Sequence, residues 1–169
     1  MSEQIRSAER MREEFDRAFA LPYPTRQNDA EHLLVIEVAE QTFALRLSHI
    51  DALVAGKRVT TVPGPVAVLR GIAGFRGQLV PVYDLAALLG LGHPAAARAP
   101  WLVLVGGGGG LVALAFAGYH GHRRVARTSI AAASAPGSFA RERYQDGDTS
   151  AAVVDLPGVV AMLRGKGSR

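Results

Sequence analysis

The pattern of apolar and polar positions changes period once along this chain, near residue 33. Before it, Ile5, Ala8, Met11, Phe15, Ala18 and Phe19 recur at helical spacing, with charges on the other face. That spacing predicts an amphipathic helix over residues 1–22. Ser2 is placed to cap it, and Pro22 and Pro24 stop its continuation. Such a helix either packs on the domain behind it or docks on a partner. A polar, proline-bearing linker is expected over residues 23–31.

From Leu33 the period becomes two. Residues 33–38 form a strand candidate and Ala39-Glu40 a short turn. Phe43, Leu45 and Leu47 then alternate with Thr42, Ala44 and Arg46, which predicts a hairpin with one buried face. Residues 50–54 and 59–62 are further short strands, and the Pro63-Gly64-Pro65 run breaks the ladder. Residues 69–75 and 79–83 should pair across Arg76-Gly77-Gln78. Asp84 stands where a helix N-cap belongs, ahead of residues 85–89, and Gly90 suits the helix end. Residues 101–105 and 111–116 are strands flanking five consecutive glycines. Short strands at close spacing point to small barrels rather than a parallel sheet.

One internal echo stands out. PVYDLAALLG (residues 81–90) resembles AVVDLPGVVAML (residues 152–163); each reads as strand, Asp cap and apolar helix. Asp84 and Asp155 lie 71 positions apart. The spacing suits two similar subdomains, although Asp capping a helix after a strand is also common by chance.

Composition narrows the function classes. The 169 residues are 49% hydrophobic and 20% charged, which is globular rather than disordered. With no cysteine there is no disulfide framework and no thiolate metal site. The uninterrupted apolar length of a spanning helix is missing and the charged N-terminus lacks a signal-peptide core, so a cytoplasmic location and no membrane insertion are expected. The net charge of +4 is mild, and Arg164, Lys166 and Arg169 put part of it at the end, a basic tail over residues 166–169. A basic small-barrel nucleic-acid binder is the alternative reading; it needs exposed aromatics interleaved with Lys and Arg on one face.

Candidate chemistry is sparse. Residues 106–110 lack the Lys and Ser/Thr of a phosphate loop and read as a hairpin connection. His120 and His122 face the same side of a strand, yet no third metal ligand is obvious. Ser129, Ser134 and Ser138 have no nucleophile-elbow context. Asp84 and Asp155 read as caps, not as a catalytic pair. No catalytic residue, metal site or cofactor is expected, and the chain is not expected to be an enzyme.

The richest stretch is GIAGFRGQLVPVYDLAALLG, residues 71–90. Together with LVIEVAEQTFALRL (residues 34–47) and VTTVPG (residues 59–64) it resembles the CheW-like domain of bacterial chemosensory systems. Gly71, Arg76, Gly77, Pro81, Val82, Asp84 and Leu85 match the family run G-x-x-N-x-R-G, strand, P-V, Asp-Leu. The resemblance extends over residues 33–163, and the domain is expected over residues 32–165. It implies a mainly β fold of two small five-stranded barrels around a hydrophobic junction. It also implies a non-catalytic adaptor at receptor arrays near the inner membrane. Its partners would be the cytoplasmic tip of a chemoreceptor (a methyl-accepting protein) and the regulatory domain of a CheA-type histidine kinase. The partner-binding positions carried over are Arg76, Phe75, Gly74 and Gly77, with Ala52 and Leu53 on a neighbouring strand. Three positions depart from the family pattern: Gly74 replaces an Asn, Ala52 a Glu and Ala117 an Asp. The expectation is an intact fold with at least one partner surface altered, the kinase contact changed or lost.

Overall fold

The computed structural model describes residues 29–63, 67–92, 101–107, 110–137 and 139–166. The expected N-terminal helix, residues 23–28 of the expected linker and the last three residues lie outside them. The run AEHLLVIEV forms β1 (Ala30–Val38), which therefore starts inside the expected linker. It turns at Ala39-Glu40 into β2 (Gln41–Arg46), with Val38 opposite Gln41. Both turn residues have positive φ, 49° and 63°, the geometry whose twist matches that of the flanking strands.

Alternation in the sequence suggested one buried face for this hairpin; in the structure both faces are buried. Leu33, Val35 and Ala44 enter one core cluster, while Leu34, Ile36, Phe43 and Leu45 enter another. A second layer covers the outer face, which is why the strand reads as a near-continuous apolar run. Leu47, expected to extend β2, lies instead in a 3-10 turn (Leu47–His49) and is exposed.

The remaining elements are β3 (Ala52–Ala55), β4 (Leu69–Phe75), β5 (Gln78–Asp84), α1 (Leu85–Leu88) and β6 (Trp101–Val105). Then come β7 (Val112–Phe116), β8 (Gly118–Ala126), β9 (Ile130–Gly137), β10 (Ala140–Asp146), β11 (Thr149–Val154) and α2 (Leu156–Lys166). They make a six-stranded sheet, β8-β1-β2-β11-β10-β9, and a five-stranded sheet, β3-β6-β7-β5-β4. The fold is mainly β, as the sequence indicated, but one sheet carries six strands rather than five. The strand expected over residues 59–62 is reduced to a single bridge, Thr60 to Ile72. That bridge ties the chain leaving β3 to β4, the opposite edge, and curls the sheet towards closure.

The echo between the two Asp segments runs through the whole domain. A shift of 71 residues carries β4 onto β10 and β5 onto β11. Register follows the shift. Phe75 opposite Gln78 corresponds to Asp146 opposite Thr149, and the Thr60–Ile72 bridge to Ala131 opposite Arg143. Ala52 opposite Leu104 corresponds to Arg123 opposite Leu33. Even the strand-end bonds repeat: Asp84 N–H donates to Val68 O and Asp155 N–H to Phe139 O, both at 2.8 Å. Each carboxylate then caps its helix, Asp84 accepting from Ala87 N at 3.2 Å and Asp155 from Gly158 N at 3.1 Å. The hairpins are exchanged between halves. β1–β2 sits in the sheet of β8–β11, joined through the parallel pair β2·β11; β6–β7 sits with β3–β5, joined through the parallel pair β5·β7.

Three clusters fill the interior: one within each sheet and a larger one between them that also takes Leu85, Leu88, Leu156, Val159 and Leu163 from the two helices. The six-stranded sheet's cluster contains Tyr144, fully buried, whose hydroxyl has no hydrogen-bond partner among the described residues. Its counterpart in the other half is Ala73. Burial pushes the Tyr144 phenol above its usual 10.0; Arg123 opposes the shift and Asp146 adds to it. The folded state thus prefers the neutral phenol, so this contribution to stability is complete below pH 10 and is lost as pH climbs above it. Tyr144→Phe deletes an unsatisfied hydroxyl, so at pH 7 it is expected to leave stability unchanged or raise it by up to about 1 kcal/mol. It should also flatten the alkaline loss. Urea unfolding of both proteins at pH 7 and pH 11 measures this.

Candidate partner-binding site

The β4–β5 hairpin has the form of a presented contact. Ala73, Phe75, Val80 and Val82 point into the five-stranded sheet's core, which leaves Gly74, Leu79 and the turn outside. Arg76 and Gly77 both have positive φ, 46° and 79°, so the turn is of the two-residue type that suits the strand twist. Gly77 takes this conformation without cost; Arg76 does not, since the left-handed region costs an L-residue about 1–2 kcal/mol. An arginine held there is strain at an exposed point, where strain often accompanies function. At the hairpin's base, Gly71 has φ of +149°, and a Cβ on it would overlap the Thr60 carbonyl. Only glycine lets the chain after β3 cross so close.

The six positions carried over from the family divide three ways. Arg76, Gly77 and Gly74 are exposed at the hairpin. Phe75 is buried, with Lys57 Nζ 5.2 Å from its ring centroid, and Ala52 packs against the same cluster. Leu53 points to the other side of β3, into the cluster between the sheets. Strand alternation requires this split, because neighbours on β3 cannot share a face. Phe75 therefore supports the turn from beneath rather than presenting itself with it, while Ala52 on β3 remains half-buried. Gly74 has open space where a Cβ would stand, so nothing steric demands glycine there.

Leu79 escaped the sequence reading. It lies opposite Gly74 and is 75% exposed, the most exposed large hydrophobic among the described residues. The signal was present: Val80 and Val82 face inward, so alternation puts Leu79 and Pro81 outward. Beside Leu79 runs a cleft of about 390 Å³ lined by Pro81, Tyr83, Leu111, Leu163 and Arg164. A second cleft, about 490 Å³, lies between the 3-10 turn and α2, lined by Ser48, His49, Ile50, Asp51, Val105 and Arg164 among others. The two share Arg164, whose guanidinium donates to Gly110 O at 2.9 Å. Asp51 accepts from Gly106 N across the second cleft.

Groups that could support catalysis are scattered. His120 pairs with Glu37 at 3.1 Å and His122 with His32 at 2.8 Å. Asp84 is buried against Arg70 at 3.3 Å and works as a cap. Among the described residues no cluster of three or more His, Cys, Asp or Glu could hold a metal ion, and no helix is long and apolar enough to cross a membrane. None of the described Phe, Tyr or Trp side chains is exposed, so no stacking surface for nucleic-acid bases appears on them.

The strain argument gives a test of the turn. Arg76→Gly is expected to hold or raise stability by about 1 kcal/mol while removing the guanidinium. Arg76→Ala should not gain in this way. Denaturant midpoints of the two variants against the parent check it.

Comparison with known proteins now bears on this geometry. The family model described as CheW-like domain matches residues 32–164. No curated relative matches the sequence. Fifteen chains of solved structures match. One of them is the scaffolding protein TtCheW from Thermoanaerobacter tengcongensis, at 20% identity and a TM-score of 0.66, covering 75% of this chain and 89% of the other.

Proposed function

The chain belongs to the CheW-like domain family, a family of non-catalytic adaptors, and we propose that it couples a chemoreceptor's cytoplasmic tip to a signalling complex through the β4–β5 hairpin. The observation that carries this reading is the hairpin tip. A strained, exposed Arg76 stands beside Leu79, 75% exposed, over a base fixed by buried Phe75 and Val80. A planar guanidinium next to an apolar shelf is the composition of an interface anchor.

In this reading the receptor tip presents a carboxylate to Arg76 and an apolar side chain to Leu79. Gly74 and Ala52 offer no side-chain hydrogen bond where the family carries Asn and Glu, so affinity rests on fewer contacts. A CheA-type kinase regulatory domain is the second partner, with its contact altered or lost, and the site of action is the cytoplasmic face of a receptor array.

Pull-downs of the full chain with a receptor-tip fragment, and separately with the kinase regulatory domain, test the proposal. Arg76→Glu should weaken receptor capture by roughly tenfold or more, since interface anchors are worth about 2 kcal/mol or above. Its circular dichroism should match the parent's. Equal capture of the reversed-charge variant removes Arg76 from the interface.

A further inference from the structure

A half-buried histidine of β1 and an exposed one of β8 carry a second site. His32 and His122 come from different halves of the chain and meet where β1 pairs with β8. Their rings lie 14° from parallel with centroids 5.0 Å apart. His32 Nδ1 stands 2.8 Å from His122 Nε2, and neither ring has another hydrogen-bond partner among the described residues.

The fold does not impose this pair. The 71-residue repeat maps His32 onto Val103 and His122 onto Asp51, so the other sheet has no equivalent. The neighbouring histidine on the same strand, His120, is bound to Glu37 instead.

We propose that His32 and His122 form a two-imidazole site for one divalent transition-metal ion, clipping β1 to β8. Two ligands at about 2.0 Å from a metal are about 2.8 Å apart on the edge of a square and about 3.3 Å apart on a tetrahedron. The two nitrogens, in hydrogen-bond contact at 2.8 Å, need only a small separation and a turn of the rings to reach either arrangement, and imidazole suits zinc, copper and nickel alike. The rings must turn so that both lone pairs converge on the ion, and their surface position leaves room for this. The nitrogen that donates in the present hydrogen bond must first pass its proton to the other nitrogen of its own ring. Water fills the remaining positions.

Arg124 lies opposite His32 in the β1–β8 register. Its charge opposes a dication and holds the affinity to a moderate level. Because the ion joins strands of different halves, it should also raise the unfolding temperature.

The test uses the full chain without an affinity tag at pH 7.5, titrated calorimetrically with Ni(II), and melted with and without Ni(II). One Ni(II) per chain is expected, with a raised melting temperature. His32→Ala and His122→Ala should each lose at least the roughly tenfold that even outer-sphere partners are worth, whereas His120→Ala should bind as the parent does. The two variants change surface residues, and circular dichroism verifies their fold. Absence of saturable uptake overturns the proposal. So does uptake by His32→Ala or His122→Ala equal to that of the parent.

Discussion

The structure depends on the exchange of hairpins between the halves of the chain. Neither half can complete a sheet from its own strands: β1–β2 needs β11 beside it, and β6–β7 needs β5. Those four central strands are buried on both faces, which is affordable only because each finds a sheet core on one side and the shared cluster on the other. Both helices close that shared cluster, and each is started by an Asp at a strand end. Removing apolar area from water drives the assembly, while the exchange dictates that it is removed by both halves together.

Glycines mark where separate segments of the fold come closest. At Gly106 a Cβ would stand 2.8 Å from the Asp51 carboxylate, and at Gly107 it would stand 2.7 Å from the Arg164 guanidinium. Those side chains reach the β6–β7 connection from the residue just before β3 in one half and from α2 in the other. The run of glycines therefore makes room for two polar clasps, one on each side of the cleft between the 3-10 turn and α2. Gly71 does the same at the base of the β4–β5 hairpin, where the chain from β3 crosses. The hairpin that presents Arg76 is thus anchored by its buried strand faces and by this crossing, so the strained tip rests on a rigid support.

Much of this was legible in the sequence because it is local. The β1–β2 turn, the pairing of β4 with β5 around Arg76-Gly77, and both Asp caps follow from short-range periodicity and turn chemistry. The repeat was visible only as an echo of two segments, because its remaining correspondences lie in register and not in residue identity: Thr60 and Ile72 share no chemistry with Ala131 and Arg143. Burial of β1 and β2 on both faces, the sixth strand and the parallel pairs depend on contacts between residues far apart in the chain. The positions carried over from the family pattern separate for a local reason. Alternation turns Phe75 inward and Leu79 outward, a distinction that the strand pattern contains and the family motif does not.

Interlocking of the halves is the central claim, and cooperativity tests it most directly. The single tryptophan, Trp101, lies in β6 of the five-stranded sheet, in contact with the shared cluster and 5.2 Å from the Tyr119 ring. Urea unfolding followed by Trp101 fluorescence and by far-ultraviolet circular dichroism, which reports both sheets, should give one transition with coincident midpoints. Separate midpoints, with one sheet surviving the loss of the other, would contradict the account.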